Sequence, residues 1–351
     1  MACVAAALVV SPAVGYGANA SSGEGPGVSS SLSGSLVTPD SPTQGEEALA
    51  AEQAELTSPE ATTAREESRT KYEHLNPAQA AKLAGEVFPE MIARAAGALQ
   101  LPAGQQVMSY PADNVAQVDL GEGEHGVIES TGPIAVETSK GHREPLDLDL
   151  EEANGAFQPM RSDLAIQIPK QIGGGVVLAS TGVSLTPVGA SGVAVGGAEG
   201  TVDGATVLYA NTQTDTDTVV KPLTSGFEED AMLRSVESPE QLYYRVGLPA
   251  GARLVQAADG AGGAEVVKEG VMLAQIEAPG ATDAAGTYVP VALNVVGDVI
   301  KLTVADSGDV QFPIEVDPTV KDGQLVEYPE DYRYSNWREE PAPPSPFTFT
   351  E

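Results

Sequence analysis

A single cysteine, Cys3, occurs in 351 residues, so no internal disulfide can form. A β domain of this length can fold without such a staple. Basic residues are also scarce. Lys and Arg number 18 against 50 Asp and Glu, a formal net charge of −32. Phosphate backbones and anionic lipid are bound through Lys and Arg, so this balance disfavours a nucleic-acid or inner-leaflet role. The three histidines, His74, His125 and His142, lie far apart and lack zinc-site spacing. Aromatic residues make up only 5%, whereas 38 glycines and 26 prolines indicate many turns around a modest core.

What is present begins with a compartment signal. Ala5 to Val10 is a short apolar run, too short to span a bilayer, and Ala18-Asn19-Ala20 has the small-x-small form of a signal-peptidase site. No Lys or Arg precedes Arg65, so the positive start of a standard export signal is missing. Residues 1–20 are read as a signal peptide with a truncated or mis-set start, and the protein as secreted or attached to the cell envelope. Residues 21–57, rich in Ser, Gly, Pro, Ala and Glu, cannot bury enough surface to offset ordering entropy and are expected to form a disordered leader.

A helical segment is expected over 58–100. Ser58-Pro59-Glu60 supplies an N-cap, a proline at the first helical position and an acid at the positive dipole end. Asn76-Pro77 repeats the device and opens a second helix to Val87, with Pro89 beyond it. From about Gln105 the pattern switches to period two. Strands are expected at Val115 to Leu120, Val127 to Ser130, Ile134 to Thr138, Leu164 to Ile168, Val183 to Pro187, Ala205 to Ala210, Leu242 to Val246, Val271 to Ile276 and Val289 to Val296. Gly297-Asp298 sits between two alternating runs as a type II′ hairpin turn, and Val310 to Val316 is expected to complete a three-strand meander closing at Asp317-Pro318. The fold class is therefore all-β: an antiparallel β-sandwich over 101–320, or two in series with a sub-boundary near 199, preceded by two short helices. Residues 321–351 read as a Pro-rich linker, and Phe347 to Glu351 as the opening strand of a further domain, without a partner in this chain.

No motif carries a convincing reaction. Gly121-Glu122-Gly123-Glu124-His125-Gly126 fits the glycine fingerprint of dinucleotide sites, but a strand-like segment follows it and two glutamates would repel a pyrophosphate. It reads as a hairpin loop. Asp306-Ser307-Gly308 resembles an aspartic-protease loop without its second copy. Thr214-Asp215-Thr216-Asp217-Thr218 places two carboxylates on one face of an extended segment. A calcium ion could relieve their repulsion, with Asp203 joining through the fold; the alternative is a solvated strand edge. Asp203, Asp215 and Asp217 are thus the one metal candidate, calcium the one cofactor candidate, and no enzyme activity is expected.

Several stretches suggest a family. They include Ser68-Arg69-Thr70-Lys71-Tyr72 with Gln79 to Glu86 and Phe88-Pro89, and Glu137-Thr138 with Gly141 to Pro145. The most specific run is Val202-Asp203-Gly204-Ala205 with Val207 to Asp217, continuing through Val219-Val220-Lys221-Pro222, Thr224 to Glu228 and Leu233-Arg234-Ser235, followed by Ile314 to Thr319. With these the chain resembles the N-terminal β-rich region of secreted actinobacterial proteins that carry RHS (YD) repeats or a LamG-like domain further on. The resemblance implies a non-catalytic structural or docking module, part of a longer chain. Its partners would be the downstream domain of the same parent protein and a glycan or protein of the cell envelope, with no nucleic acid and no integral membrane span. The alternative is a carbohydrate- or calcium-binding sandwich, for which Tyr243, Tyr288 and Tyr328 are the only aromatic hints.

Overall fold

In a computed structural model, residues 59–92, 99, 101–130, 132–258, 262–305, 309–323 and 347–348 are described. Residues 1–58, where the signal segment and leader are expected, Asp306-Ser307-Gly308, Tyr328 and Pro341 to Pro346 lie outside them.

Two helices open the described chain: α1 (Pro59–Thr70) and α2 (Pro77–Val87). The Asn76 side chain accepts from the Gln79 N–H while the Gln79 side chain accepts from the Asn76 N–H, a reciprocal capping box that satisfies two of the helix's free donors. The helix stops at Val87, just ahead of Pro89.

The strands then follow one another almost without interruption. β1 (Gln106–Ala112), β2 (Val115–Gly121) and β3 (Glu124–Glu129) form a small sheet. Gly121 pairs with Glu124, so Glu122 and Gly123 form the expected hairpin turn, both at positive φ (56° and 86°). β4 (Ala135–Ser139) and β5 (His142–Pro145) are a separate hairpin.

β6 (Asp147–Ala153), β7 (Ala156–Arg161), β8 (Ile166–Pro169), β9 (Val176–Leu178) and β10 (Val183–Val188) begin the first large sheet. β11 (Gly200–Asp203), β12 (Thr206–Gln213), β13 (Thr216–Pro222) and β14 (Gly226–Leu233) begin the second. β15 (Gln241–Gly247) returns to the first, while β16 (Arg253–Gln256), β17 (Ala264–Lys268), β18 (Val271–Ile276) and β19 (Ala281–Asp283) belong to the second. β20 (Val291–Val296) and β21 (Val299–Val304) complete the first sheet as a hairpin through Gly297 at φ 66°. β22 (Ile314–Val316) and β23 (Thr319–Asp322) complete the second.

The result is an antiparallel sandwich. The eight-stranded sheet runs β20-β21-β15-β10-β9-β8-β7-β6. The ten-stranded one runs β11-β12-β13-β14-β23-β18-β17-β16, with β22 and β19 branching from β14. One apolar core lies between them, from Leu150 in β6 to Val320 in β23, and it passes across the sub-boundary expected near residue 199. The outer face of the ten-stranded sheet is covered as well. Leu83, Ala84, Phe88 and Met91, in and just after α2, pack on Val219 of β13 and Met232 of β14. Both faces of β13 are thereby enclosed, and all seven of its residues are buried.

Three expectations need correction. Val310 to Val316 does not extend the β20–β21 hairpin. β15 occupies the other edge of β21, and β22 pairs with β14 and β19 in the opposite sheet. Val310, Phe312, Ile314 and Val316 are all buried, so the period-two reading is right; both inner faces border the same core, and crossing over buries them equally well. The β body also does not close at Asp317-Pro318. Pro318 lacks an N–H, but its carbonyl accepts from the Glu229 N–H, and β23 continues at once between β14 and β18. Finally, Phe347–Thr348 (β24) has a partner: it pairs with β3, Phe347 opposite Ile128.

The insertion of β23 leaves no room at Gly226. A Cβ there would stand 1.9 Å from the Val320 carbonyl oxygen, and β23 is held on its far side by β18. Gly226→Ala is expected to destabilise the domain by about 3 kcal/mol or more, read as a lowered urea midpoint. An unchanged midpoint would contradict this packing.

Candidate functional site

Period-two alternation puts Asp217, Val219 and Lys221 of β13 on the helix-covered face, beside Glu228, Asp230 and Met232 of β14 and, just past its end, Arg234. Two charge clusters therefore flank an apolar stripe of Val219 and Met232, all beneath the helical segment.

The first cluster is centred on Arg234, whose side chain is fully buried. Its Nε lies 3.1 Å from Asp217 Oδ2 and its terminal NH2 nitrogen 3.9 Å from Asp215 Oδ1. The guanidinium also donates to the Asn211 side-chain oxygen and to the Tyr72 carbonyl. Asp215 Oδ1 accepts from the His74 N–H at 2.7 Å, and Oδ2 from Ser235 Oγ at 2.7 Å. Asp217 Oδ1 accepts from the Asn211 N–H at 2.7 Å. The Asp215 carbonyl takes the Arg234 N–H and the Ser238 hydroxyl. Asp215 occupies the left-handed region at φ 43°, and Asn211 at φ 55° marks the bulge between β12 and β13. Burial acts to raise the Asp215 pKa, but the bonds from His74 and Ser235, with the His74 and Arg234 charges, outweigh it and hold the carboxyl below its ordinary range. At Asp217 burial prevails over the Asn211 bond and the Arg234 charge, and the pKa is raised.

The second cluster is centred on Lys221. Its Nζ is 2.8 Å from Glu228 Oε2, 3.3 Å from Asp230 Oδ2 and 3.3 Å from the Glu90 carbonyl oxygen. Burial pulls the Lys221 pKa down, yet Asp230 and Glu228 together push it above the usual lysine range. Asp230 is fully buried, and burial drives its pKa far up despite Lys221. Glu315 of β22 rises to about 7, through burial first and the Glu90 charge second. Burial also lifts Asp317.

Glu229 faces the opposite way, into the sandwich core. Neither of its carboxyl oxygens has a hydrogen-bond partner, and burial pushes its pKa well above the ordinary value. The field of Glu229 in turn adds to the burial that raises Tyr209 and Tyr244. Tyr209 donates its hydroxyl to the Pro169 carbonyl.

Of the predicted metal residues, Asp215 and Asp217 are brought together and Asp203 is not. Asp203 ends β11 opposite Thr206, so the length of β12, about 23 Å at the usual rise per residue, separates it from the Asp215 turn. The solvated strand edge weighed for Asp215 and Asp217 is replaced by a buried position in and beside the interior strand β13, and the cation beside them is the guanidinium of Arg234. Among the described residues, no group of three or more His, Cys, Asp or Glu side chains is placed to hold a metal ion. No helix among them is long and apolar enough to cross a membrane. Arg234 and Lys221 are the residues the sequence reading passed over. The available signal was a basic residue within the apolar stretch Val219 to Pro222 and another ending the apolar-acidic stretch Phe227 to Arg234. No protein-family model and no curated protein matches the chain.

Proposed function

We propose that this chain is a non-catalytic structural or docking module of a secreted or envelope-associated protein of the RHS-repeat or adhesin type. The observation that carries the reading is the Arg234 network. Its buried charges are directed at one another and at the backbone of the helical segment, through His74 N–H and Tyr72 C=O, rather than towards solvent. Groups arranged in this way fasten a helical cover onto a sheet. The export-like start and the acidic β-rich body favour placement outside the cytoplasm.

The test is digestion of intact producing cells with an added protease, followed by detection of the chain. Cleavage without lysis is expected. Complete protection until the cells are broken would overturn the reading.

A glycan-binding role has one observation in its favour, the 67% exposure of Tyr288 beside β19. Under that reading, Tyr288→Ala abolishes retention on envelope polysaccharide while leaving the melting temperature unchanged.

A further inference from the structure

The Lys221 cluster has a composition that an ion pair alone does not explain. A lysine on β13 and an aspartate on β14 are diagonal neighbours on one face: Lys221 stands opposite Glu228, and Asp230 opposite Val219. The Asp230 side chain is buried, and its Oδ2 lies 3.3 Å from Lys221 Nζ. A second carboxylate, Glu228, touches the same nitrogen at 2.8 Å from the more accessible side. The Glu90 carbonyl fixes Nζ from a third direction. Removing two charges from water is costly, and a buried pair with few further hydrogen bonds recovers little of that cost.

We propose that Lys221 and Asp230 condense to an intramolecular amide, with Glu228 carrying the proton. The ammonium, held by Asp230 and Glu228, is the resting form; the reactive minor form arises when it gives a proton to the Asp230 carboxylate, whose burial favours the acid, leaving an amine and a carboxylic acid. The Nζ lone pair then bonds to Asp230 Cγ. The bond from Cγ to the hydroxyl oxygen breaks, and the hydroxyl leaves as water with a proton taken from Nζ and relayed by the Glu228 carboxylate. One C–N bond forms, one C–O bond breaks, one water is released and Glu228 is restored. No oxidant or other reactant is needed. Two buried charges become one neutral amide, and the central strands β13 and β14 gain a covalent staple in a chain whose only cysteine is Cys3.

Mass spectrometry of the full-length protein tests this directly. Trypsin releases 171–234 as one peptide, because Pro222 follows Lys221 and blocks cleavage there. The wild-type peptide is expected to be lighter by one water. A protease that cuts after glutamate, at Glu199, Glu228 and Glu229, should leave two halves joined, 200–228 with Lys221 and 230–234 with Asp230. Lys221→Arg keeps the charge and the peptide boundaries but should show the unmodified mass, and Glu228→Gln should show mostly unmodified peptide. An unmodified wild-type mass, halves that separate, or loss of water that persists in Lys221→Arg would each overturn the proposal. The peptide mass can be read whether or not a variant folds well.

Discussion

Arg234→Met is expected to lower the unfolding free energy by about 3–5 kcal/mol, because it leaves Asp217 as an uncompensated charge in a fully buried position. Methionine fills a similar volume, so the loss reports the charge network rather than a cavity. The variant also removes the donor to the Tyr72 carbonyl. Hydrogen exchange should therefore accelerate first in α1 and α2, ahead of the sandwich core. Arg234→Lys should recover only part of the stability, since one ammonium cannot serve Asn211, Asp217 and Tyr72 from a planar fork. The measurement is a urea titration followed by circular dichroism, with exchange rates mapped by peptide. A midpoint equal to that of the wild type would exclude the proposed role of Arg234.

The second large effect is on pH dependence. A carboxyl whose folded pKa is raised contributes stability that is complete below its unfolded pKa and is lost as pH rises through the folded value. Glu229, Glu315, Asp317 and Asp217 are all raised, in each case by burial first. Glu315 defines the window, from its ordinary 4.5 to about 7. Between pH 5 and pH 8 this half-buried residue alone should remove about 1–2 kcal/mol, because solvent on its open side screens part of the shift. Asp215 has the opposite sign. Its lowered pKa supplies stability above the ordinary aspartate range that is lost only as pH falls below it. The domain should therefore be most stable near pH 4–5 and weaken towards pH 8, the reverse of a protein dominated by paired surface carboxylates. Relief of the net charge of −32 acts in the same direction, so Glu315→Gln is the control. It should flatten the profile between pH 5 and 8. Melting temperatures that rise from pH 5 to 8 would contradict the burial of these groups.

The parts of the fold legible in the sequence are those where local chemistry and tertiary packing agree. Asn76-Pro77 announces α2 because the capping box is a local device, and Gly297-Asp298 announces the β20–β21 hairpin because its turn demands a glycine at positive φ. The two most enclosed strands were the least visible. β13 and β14 carry Asp217, Lys221, Glu228, Glu229 and Asp230, which in a sequence read as solvent-facing; β13 was anticipated only as the extended segment Thr214 to Thr218, and β14 not at all. Their burial follows from the third layer, the helical cover, and no period along β13 signals that both of its faces are closed. The placement of Asp215 and Asp217 on one face was legible. The cation that answers them was not, because Arg234 lies 17 positions beyond Asp217 and reaches it only through the β13–β14 pairing. Likewise β22 alternates as predicted, but alternation fixes a face and leaves the choice of sheet open.

The central claim is that these buried charges serve the fold, holding the helical segment on the sandwich, and are not a ligand site kept at the expense of stability. A double-mutant cycle on Asp217 and Arg234 tests it most directly, using unfolding free energies of Asp217→Asn, Arg234→Met and the double variant. The account predicts that both single variants are less stable than the wild type and that the double variant lies above the sum of the two losses, with a coupling of about 2 kcal/mol. Single variants as stable as the wild type, or more so, would contradict it and mark Asp217 and Arg234 as residues retained for binding or chemistry.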